Sequence, residues 1–356
     1  MDWSSSGIKH EFAYELVDAV TLDSRGRWLD GVTGGTITES YRSEARSTCT
    51  LELDGSSVPW GCAVRVRHYA YLGAESFSEV LGTFQPEPMD STYEYGRRSG
   101  SVDMYSSLKK LSTHFYKGVT GVAKGAAIVP HFKAVVADGQ AVPWVSPSLS
   151  TSKGFGAYYA WVRPKESDYA EAQRCADALG AYLGVDAQGR VTLTPYVLPQ
   201  KMSESWRLEG GAMLGVDIDE PDIVNRVVVA YEDNSGGKTK TYTAMATLAD
   251  SSPWSYKKIG RFETVEANAP TFDDGVSASQ IQTALDKLVA QELAAHQGKA
   301  TYTVSALYDP NVRCATAGRF VYADSPADKG ISARVFCSER QIDLTYGDMT
   351  LTLEEV

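Results

Sequence analysis

The sequence predicts a β-rich α+β fold, because strand-like segments dominate both ends of the chain and helix-like segments lie between them. Near the N-terminus, residues 48–55 and 63–72 alternate apolar and polar side chains, as strands with one buried face do. Four more strand candidates occupy residues 300–307, 331–337, 340–346 and 349–356. A chain of 356 residues, 43% of them hydrophobic, can bury large cores, so we expect two or three domains.

The two N-terminal strands have clear inward faces. Cys49, Leu51 and Leu53 alternate with polar residues before an Asp-Gly turn, and Val64 begins the same alternation in the second strand. In that second strand the inward set includes His68.

The first helical pattern follows these strands, in residues 101–115. Met104, Leu108, Leu111 and Phe115 are spaced to share one helical face. The next stretch, residues 118–165, is interrupted by prolines at four positions. They are Pro130, Pro143, Pro147 and Pro164. We predict no firm element there.

Residues 168–196 predict a helix, a tight turn and a strand. An apolar stripe at helical spacing consists of Tyr169, Ala172, Ala176, Leu179 and Leu183. Asp168 is expected to cap the helix with Glu171 three residues on, Gly184 to end it, and a strand to start at Val191. Glu171, Arg174 and Asp177 fall on the polar side, where truncation of Arg174 to alanine should cost little. Because the glycines follow the helix, this joint predicts a structural module and not a phosphate-binding loop.

The last third of the chain predicts a hairpin, a helix and the C-terminal strands. Residues 224–231 and 240–245 flank a polar, glycine-rich connection, which is typical of a hairpin. A long helix is expected over 277–297, with Ser277 and Gln280 as a capping box. Proline-rich stretches at 84–91 and 197–205 are the expected domain boundaries.

Composition excludes several classes of function. The formal net charge of −11 argues against an extended phosphate-binding surface, so no sequence-specific nucleic-acid binding is expected. No run of eighteen apolar residues and no signal-peptide core is present, so we expect no stable membrane insertion. The five cysteines contain no CxxC pair and are interpreted as small buried apolar groups.

The search for catalytic motifs finds only partial matches. "HEFAY" has Tyr14 where a zinc-binding helix needs its second histidine, and "SGGKT" at 235–239 lies in a predicted hairpin tip. The acidic run "DIDEPD", starting at Asp217, lacks the glycine and the closing glutamate of a calcium loop. We therefore predict no catalytic, cofactor-binding or metal-binding residue, no cofactor, and no enzymatic activity.

Aromatic content supplies one alternative. Thirty-seven aromatic residues, twenty of them tyrosine, could line a sugar-binding groove with carboxylates placed for glycoside hydrolysis. Most of these tyrosines fall in strand candidates, where aromatic side chains are favoured for packing alone. A carbohydrate-binding or wall-degrading role is thus the alternative interpretation.

The order of elements and several phrases resemble bacteriophage tail hub proteins. The N-terminal half resembles them in "FAYELVDAV", "GRWLDGVTGGTITESYRSEARSTCTLELDG", "VRVRHYAYL", "VLGTFQPEP" and "YSSLKKL". The second half resembles them in the helix, turn and strand of residues 168–196 and in the phrases "PDIVNRVVVAYEDN" and "SSPWSYKKIGRFE".

The resemblance implies a homotrimer at the distal end of a phage tail. Each subunit would contribute two tail-tube-like β-barrels, at residues 1–100 and 201–356, with a middle α+β domain at 101–200. Three subunits would then present six barrels to a hexameric tube. Some members carry a C-terminal peptidase or wall-cutting domain, for which this chain is expected to leave no room.

Partners and location follow from the same resemblance. They are the tail tube or distal tail protein, the tip, spike or receptor-binding proteins, and the tape measure protein. The chain would belong to the virion tail tip, be assembled in the host cytoplasm, and form part of the conduit for DNA ejection and host entry. An acidic lumen would keep passing DNA from adhering. The hub of a phage-derived injection machine is a further alternative.

Overall fold

The computed structural model describes most of the chain. The described residues are 1–94, 97–114, 118–163, 166–219, 224–233, 239–252, 255–270, 272, 276–295, 300–322 and 330–356. By contacts they divide into two compact units, one formed by residues 1–217 and 302–356 and the other by residues 218–301.

The first eight strands follow one another without a helix. They are β1 (Lys9–Asp18), β2 (Ser24–Trp28), β3 (Val32–Ser40), β4 (Ser47–Asp54), β5 (Cys62–Leu72), β6 (Glu75–Pro86), β7 (Asp90–Glu94) and β8 (Arg97–Tyr105). The middle of the chain is mixed. Its elements are α1 (Leu108–Thr113), β9 (Gly118–Val122), α2 (Ile128–Asp138), β10 (Pro143–Val145), β11 (Tyr159–Arg163), α3 (Asp168–Leu179), β12 (Ala181–Val185) and β13 (Val191–Pro195).

The remainder returns to strands around one long helix. Its elements are β14 (Glu204–Glu209), β15 (Met213–Asp219), β16 (Arg226–Asp233), β17 (Lys240–Thr247), α4 (Tyr256–Ile259), β18 (Thr264–Glu266), α5 (Ala278–Ala295), β19 (Thr301–Leu307), β20 (Ala317–Tyr322), β21 (Ile331–Asp343) and β22 (Asp348–Glu355). The β-rich α+β class is confirmed.

Strands from both ends of the chain join in one sheet of fourteen strands. Its main path runs β15-β19-β22-β21-β3-β4-β8-β6-β5-β1-β2, with β14, β20 and β7 paired beside it. The join is the antiparallel pairing of β3 with β21, which places Ile342 opposite Ile37. The division into two barrels therefore stays a prediction. The described strands from the two predicted barrel regions belong to one hydrogen-bonded sheet.

The long strand β21 replaces two predicted strands. The sequence separated residues 331–337 from 340–346, but the chain continues through a change of register between Cys337 and Glu339. A bulge there bends the strand without ending it, so its first half pairs with β20 and its second half with β3. Alternation restarts after a bulge, which is why the sequence suggested a break.

The N-terminal strands enclose the first core. The inward set is buried as predicted, because Leu51 and Val64 are 0% exposed and Cys49 is 1% exposed. Met104 is also fully buried, but it lies on β8 and not on a helix. Helix α1 starts only at Leu108, so the predicted face was too long at its N-terminal end. Phe115 lies outside the described residues.

The middle region forms a second core between α2, α3 and the sheet of β10, β13 and β12. No element was predicted in residues 118–165, yet α2 forms with Pro130 in its first turn. A first-turn nitrogen has no intrahelical acceptor, so proline fits there without losing a hydrogen bond. The predicted interruption was therefore wrong at this proline.

Helix α3 ends four residues earlier than predicted. Gly180, not Gly184, adopts the left-handed conformation that closes it, at φ 65°. The chain then enters β12 directly, where Leu183 is fully buried and Gly184 pairs with Thr192 of β13. The N-cap is Ser167, whose side chain accepts a hydrogen bond from the amide of Ala170. The strand start at Val191 is confirmed.

The second unit has a core of its own. Strands β16 and β17 form the predicted hairpin, with β18 parallel to β16, and α5 packs on this sheet through Ile281, Leu285 and Val289. The expected capping box is present, because the Ser277 amide donates to the Gln280 side chain and the Gln280 amide donates to Ser277 Oγ. The expected end of this helix at 296–297 lies outside the described residues.

Candidate functional site

Four described histidines each contact a second polar side chain. His10 and His68 contact each other, His114 contacts Asp168, and the last, His131, contacts a buried carboxylate. These contacts concentrate in two buried polar networks, one among strands and one among helices.

The sheet network consists of His10, His68, Glu79, Tyr308 and Arg313. His10 Nδ1 lies 2.9 Å from His68 Nε2, and the two rings stack with centroids 5.2 Å apart. Both histidines lie on neighbouring strands, since β1 pairs with β5 and brings Phe12 opposite His68. Burial, followed by the neighbouring His68, lowers the pKa of His10 to about 4.

The acid of the sheet network is Glu79 on β6. The Tyr308 hydroxyl and the Arg313 guanidinium both donate to its carboxylate, and His68 Nδ1 lies 3.9 Å from its Oε1. Although burial by itself favours the protonated acid, these neighbours hold the pKa of Glu79 below its ordinary value. The network thereby ties β6 to the segment that follows β19.

The helix network consists of His131, Tyr159, Glu171, Arg174 and Cys175. Glu171 is fully buried, and its Oε1 accepts from His131 Nε2 at 2.6 Å and from the Tyr159 hydroxyl at 2.5 Å. Its Oε2 accepts from Arg174, whose guanidinium also lies over the Tyr159 ring.

Glu171 is a correction to the predicted register, which placed it on the polar side of the helix. Despite burial, which raises it, the pKa of Glu171 is lowered by the donors from His131 and Tyr159 and by the charge of Arg174. Arg174 is likewise not a simple surface residue, because it bridges Glu166 and Glu171. Hydrogen bonds to the Glu171 carboxylate stabilise its burial, and the spacing of apolar residues in the sequence does not indicate such bonds.

A third buried ion pair holds the seam between β3 and β21. Arg340 is fully buried and donates two hydrogen bonds to Glu39, at 2.9 and 3.0 Å, and a third to the carbonyl of Val312 at 2.8 Å. Such a bidentate pair fixes the register where strands from the two ends of the chain meet.

Both ends of the main strand path expose apolar side chains. Trp28 on β2 is 50% exposed and Leu214 on β15 is 57% exposed. Trp60 is 95% exposed, and it precedes Gly61, whose carbonyl accepts from Arg25 of β2. A sheet edge with unpaired backbone groups and exposed apolar residues is suited to pairing with another chain.

A groove of about 520 Å³ carries three tyrosines. Tyr41 and Tyr182 stack on each other with centroids 5.2 Å apart, and Arg46 lies over the ring of Tyr182. Their faces are thus largely covered, while Tyr196 is 42% exposed. Packing accounts for the Tyr41 and Tyr182 rings, while the carbohydrate-binding alternative stays a prediction.

The described residues of the partial matches to catalytic motifs lie in or next to ordinary strands. His10 and Tyr14 lie on strand β1, so "HEFAY" forms no helix. Asp217 and Asp219 are exposed on β15, whereas Glu220, Asp222 and residues 235–238 of "SGGKT" lie outside the described residues. Among the described residues, no helix is long and apolar enough to cross a membrane.

One signal for the buried histidines was present in the sequence. His68 shares the alternating face of Val64 and Val66, and all three are 0% exposed. The other members of its network could not be found that way, because Tyr308 and Arg313 lie more than two hundred residues after His68 in the chain. The sequence prediction that no residue is catalytic, cofactor-binding or metal-binding stays a prediction.

Comparison with known proteins identifies the fold. No protein-family model and no curated protein sequence matches the chain. The 43 kDa tail protein of prophage MuSo2 from Shewanella oneidensis superposes with a TM-score of 0.59 at 14% identity, covering 97% of this chain and 98% of that one. A tail protein from Neisseria meningitidis MC58 gives a TM-score of 0.57 at 13% identity, covering 97% of both chains.

A chain of the Francisella PdpA–VgrG complex also matches. Its TM-score is 0.57 at 9% identity, and the match covers 98% of this chain but 58% of that one. The chain therefore has the fold of phage tail proteins over nearly its whole length. The resemblance to this class that the sequence suggested is confirmed at the level of the fold.

Proposed function

We propose that this protein is a structural hub of a phage tail tip. Three copies would form a ring that joins the hexameric tail tube to the threefold tip or spike, as part of the conduit for DNA ejection and host entry. The observation that carries this proposal is the match over 97% of the chain to two tail proteins of nearly the same extent. Both are named as tail proteins and not as enzymes, in keeping with a non-enzymatic role.

The expected domain organisation becomes part of the proposal. Residues 1–100 and 201–356 would supply two tube-like barrels per subunit, and residues 101–200 the domain that decorates them. Three copies with closed cyclic symmetry would then match a sixfold tube. Its partners would be the tail tube or distal tail protein, the tip, spike or receptor-binding proteins, and the tape measure protein.

The two sheet edges support a ring of subunits. β2 and β15 are the ends of one strand path, so edge-to-edge contact between copies is head-to-tail and can close into a ring. The exposed side chains of Trp28 and Leu214 would be buried in that contact. In isolation such a ring gains stability only as concentration rises, and the tube would complete it.

The oligomer provides the main test. Light scattering of the purified protein at high concentration should give a ring of about three times the 38.6 kDa of one chain. With the tail tube protein added, the complex should contain three copies of this chain. Cryo-electron microscopy of assembled tails should show three copies at the tip. Six copies in the ring, or one copy per tail, would contradict the proposal.

Edge substitutions sharpen this test. Trp28→Glu and Leu214→Glu should each reduce trimer formation, because a charge would enter the contact. The matched control is Val119→Glu, a 67% exposed valine on β9 that belongs to a separate two-stranded sheet. If the control disrupts the ring as strongly as the edge variants do, the edges are not the contact.

The charge of the chain fits a conduit for DNA. A formal net charge of −11 disfavours adhesion of a passing polyanion, provided that carboxylates line the channel. A density map with a channel lined mainly by lysine and arginine would remove this part of the proposal.

The match to the PdpA–VgrG complex favours a second candidate, the hub of a phage-derived injection machine. It would use the same ring without DNA in the channel. The neighbouring genes distinguish the two, because capsid and DNA-packaging genes accompany a virion and are not needed by an injection machine.

A further inference from the structure

Three donor atoms of different chemistry converge in the helix network. They are an imidazole nitrogen of His131, a carboxylate oxygen of Glu171 and the thiol sulfur of Cys175, all within 4.8 Å of one another. Glu171 and Cys175 stand four residues apart on α3 and so share one face of the helix, while His131 comes from α2. Helix packing therefore fixes all three positions.

These separations suit a small tetrahedral cation. Zinc binds nitrogen and oxygen at about 2.0–2.2 Å and sulfur at about 2.3 Å, which places neighbouring ligand atoms about 3–4 Å apart. The contact between His131 Nε2 and Glu171 Oε1, 2.6 Å long, needs to open slightly, and donor atoms that lie up to 4.8 Å apart need to move closer together.

The surroundings resemble the support that metal ligands need. Tyr159 donates to Oε1 and Arg174 to Oε2 of the Glu171 carboxylate, which fixes its orientation. Phe155 and Trp161 pack edge-on against the His131 ring, at centroid distances of 5.7 and 6.2 Å. The His131 side chain is still 18% exposed, which leaves a path for an ion.

The charges are also favourable. Without a cation the carboxylates of Glu166 and Glu171 outnumber the single guanidinium of Arg174. A divalent cation and a Cys175 thiolate bring the sum of these five charges to zero. Charge balance matters here because Glu171 and Cys175 are fully buried.

We propose that His131, Glu171 and Cys175 form a zinc-binding site that joins α2 to α3, with water as the fourth ligand. A mixed nitrogen, oxygen and sulfur set is one that zinc accepts and that calcium and magnesium do not. The competing interpretation is a hydrogen-bonded core network that needs no ion. The inference is independent of the role in a phage tail.

Binding is accompanied by a defined loss of protons. The zinc–sulfur bond replaces the S–H bond of Cys175, so one proton leaves to solvent. His131 binds through a nitrogen lone pair and carries its ring proton on the other nitrogen. Zinc affinity should therefore rise about tenfold per pH unit while the thiol remains protonated in the free protein.

Cobalt(II) provides the decisive probe, because a cobalt–thiolate bond gives a near-ultraviolet charge-transfer band that nitrogen and oxygen ligands do not give. Titration of the metal-stripped full chain with cobalt chloride should produce this band with one equivalent, and zinc chloride should abolish it. Excess zinc should also raise the melting temperature by about 5 °C.

Matched variants assign the site. Cys175→Ser should lose the band and the thermal shift, while Cys49→Ser, a cysteine equally buried in the first core, should retain both. His131→Gln keeps the thiol and should weaken zinc binding at least about tenfold, so it serves if Cys175→Ser does not fold. Tyr159→Phe, which alters only the support of Glu171, should weaken it by about tenfold.

Three results would overturn the proposal. The first is the absence of both the band and the thermal shift in the unmodified chain, which would establish the hydrogen-bonded network without an ion. The second is a band that survives Cys175→Ser. The third is equal loss in Cys49→Ser, which would place the metal on another thiol or on an unfolded form.

Discussion

The sheet network and the helix network each bury a carboxylate against a tyrosine hydroxyl and an arginine, but they place their histidines differently. In the sheet network His10 contacts a second histidine, whereas in the helix network His131 contacts the carboxylate itself. A proton on His10 meets another imidazole that competes for the same charge, so protonation of His10 weakens the sheet network.

The two networks should accordingly lose stability in different pH ranges. The folded pKa of His10, about 4, lies below its ordinary value of 6.5, so the unfolded chain takes up a proton first as pH falls from 6.5 to 4. The pKa of Glu171 is lowered from 4.5, so its contribution is complete above pH 4.5 and is lost below it. Between pH 6.5 and 4.5 the His10 contribution should decline while that of Glu171 is retained.

The largest effect is expected from removing the two acids. Glu171→Ala and Glu79→Ala should each lower the free energy of unfolding by about 3–5 kcal/mol, because buried donors lose their acceptor. Urea denaturation measures this, with exposed Glu87→Ala as the control at under about 0.5 kcal/mol. If either acid behaves like Glu87, its network is not a stabilising unit.

The two tyrosine hydroxyls should follow in size. Tyr308→Phe and Tyr159→Phe each remove one hydrogen bond to a carboxylate and should cost about 1.5–3 kcal/mol by the same measurement. Tyr308 is 1% exposed and Tyr159 is half-buried, so Tyr308→Phe should cost more. The reverse order would show that burial does not set the difference between the networks.

Arg174→Ala comes next and revises the expectation from the sequence. It should cost about 1–2 kcal/mol, since it removes the donor to Glu171 Oε2 while its own partial exposure screens the pair. Gln173→Ala, which loses only an exposed contact to Asp177, should cost under about 0.5 kcal/mol. If the two substitutions lower the free energy of unfolding equally, Arg174 behaves as a surface residue and does not stabilise the helix network.

The smallest effect concerns pH. His10→Gln should remove about 1 kcal/mol of the stability that the unmodified chain loses between pH 7 and pH 4.5. The measurement compares the free energy of unfolding at the two pH values. If His10→Gln loses as much stability over this range as the unmodified chain does, His10 is not the source of the loss.

Local signals determined the elements that the sequence placed correctly. The capping box of Ser277 and Gln280 fixed the start of α5, and alternation fixed the inward faces of β4 and β5. The same rules failed at α3, because Leu183 fits the apolar stripe equally well as a helix or strand residue, and extending the stripe to Leu183 placed Gly180 inside the helix. Pairing of β12 with β13 decided between them.

The candidate sites were beyond such signals. A carboxylate four positions from a cysteine on a helix predicts nothing until α2 brings His131 beside them. The sheet network likewise needs β6 and the segment after β19, which only the folded chain brings together.

By itself the sequence determined the β-rich class and the inward faces of several strands, because burial of alternating or periodic side chains is a local property of the chain. The tail-protein fold was suggested by resemblance to bacteriophage tail hub proteins and not by this periodicity. Only the tertiary structure decided which polar groups are buried and with what partners. Burying Glu171, Glu79 or Arg340 is tolerable only where distant donors or acceptors replace water, so their environment depends on packing between elements. That packing joins β3 to β21 and sets α2 against α3.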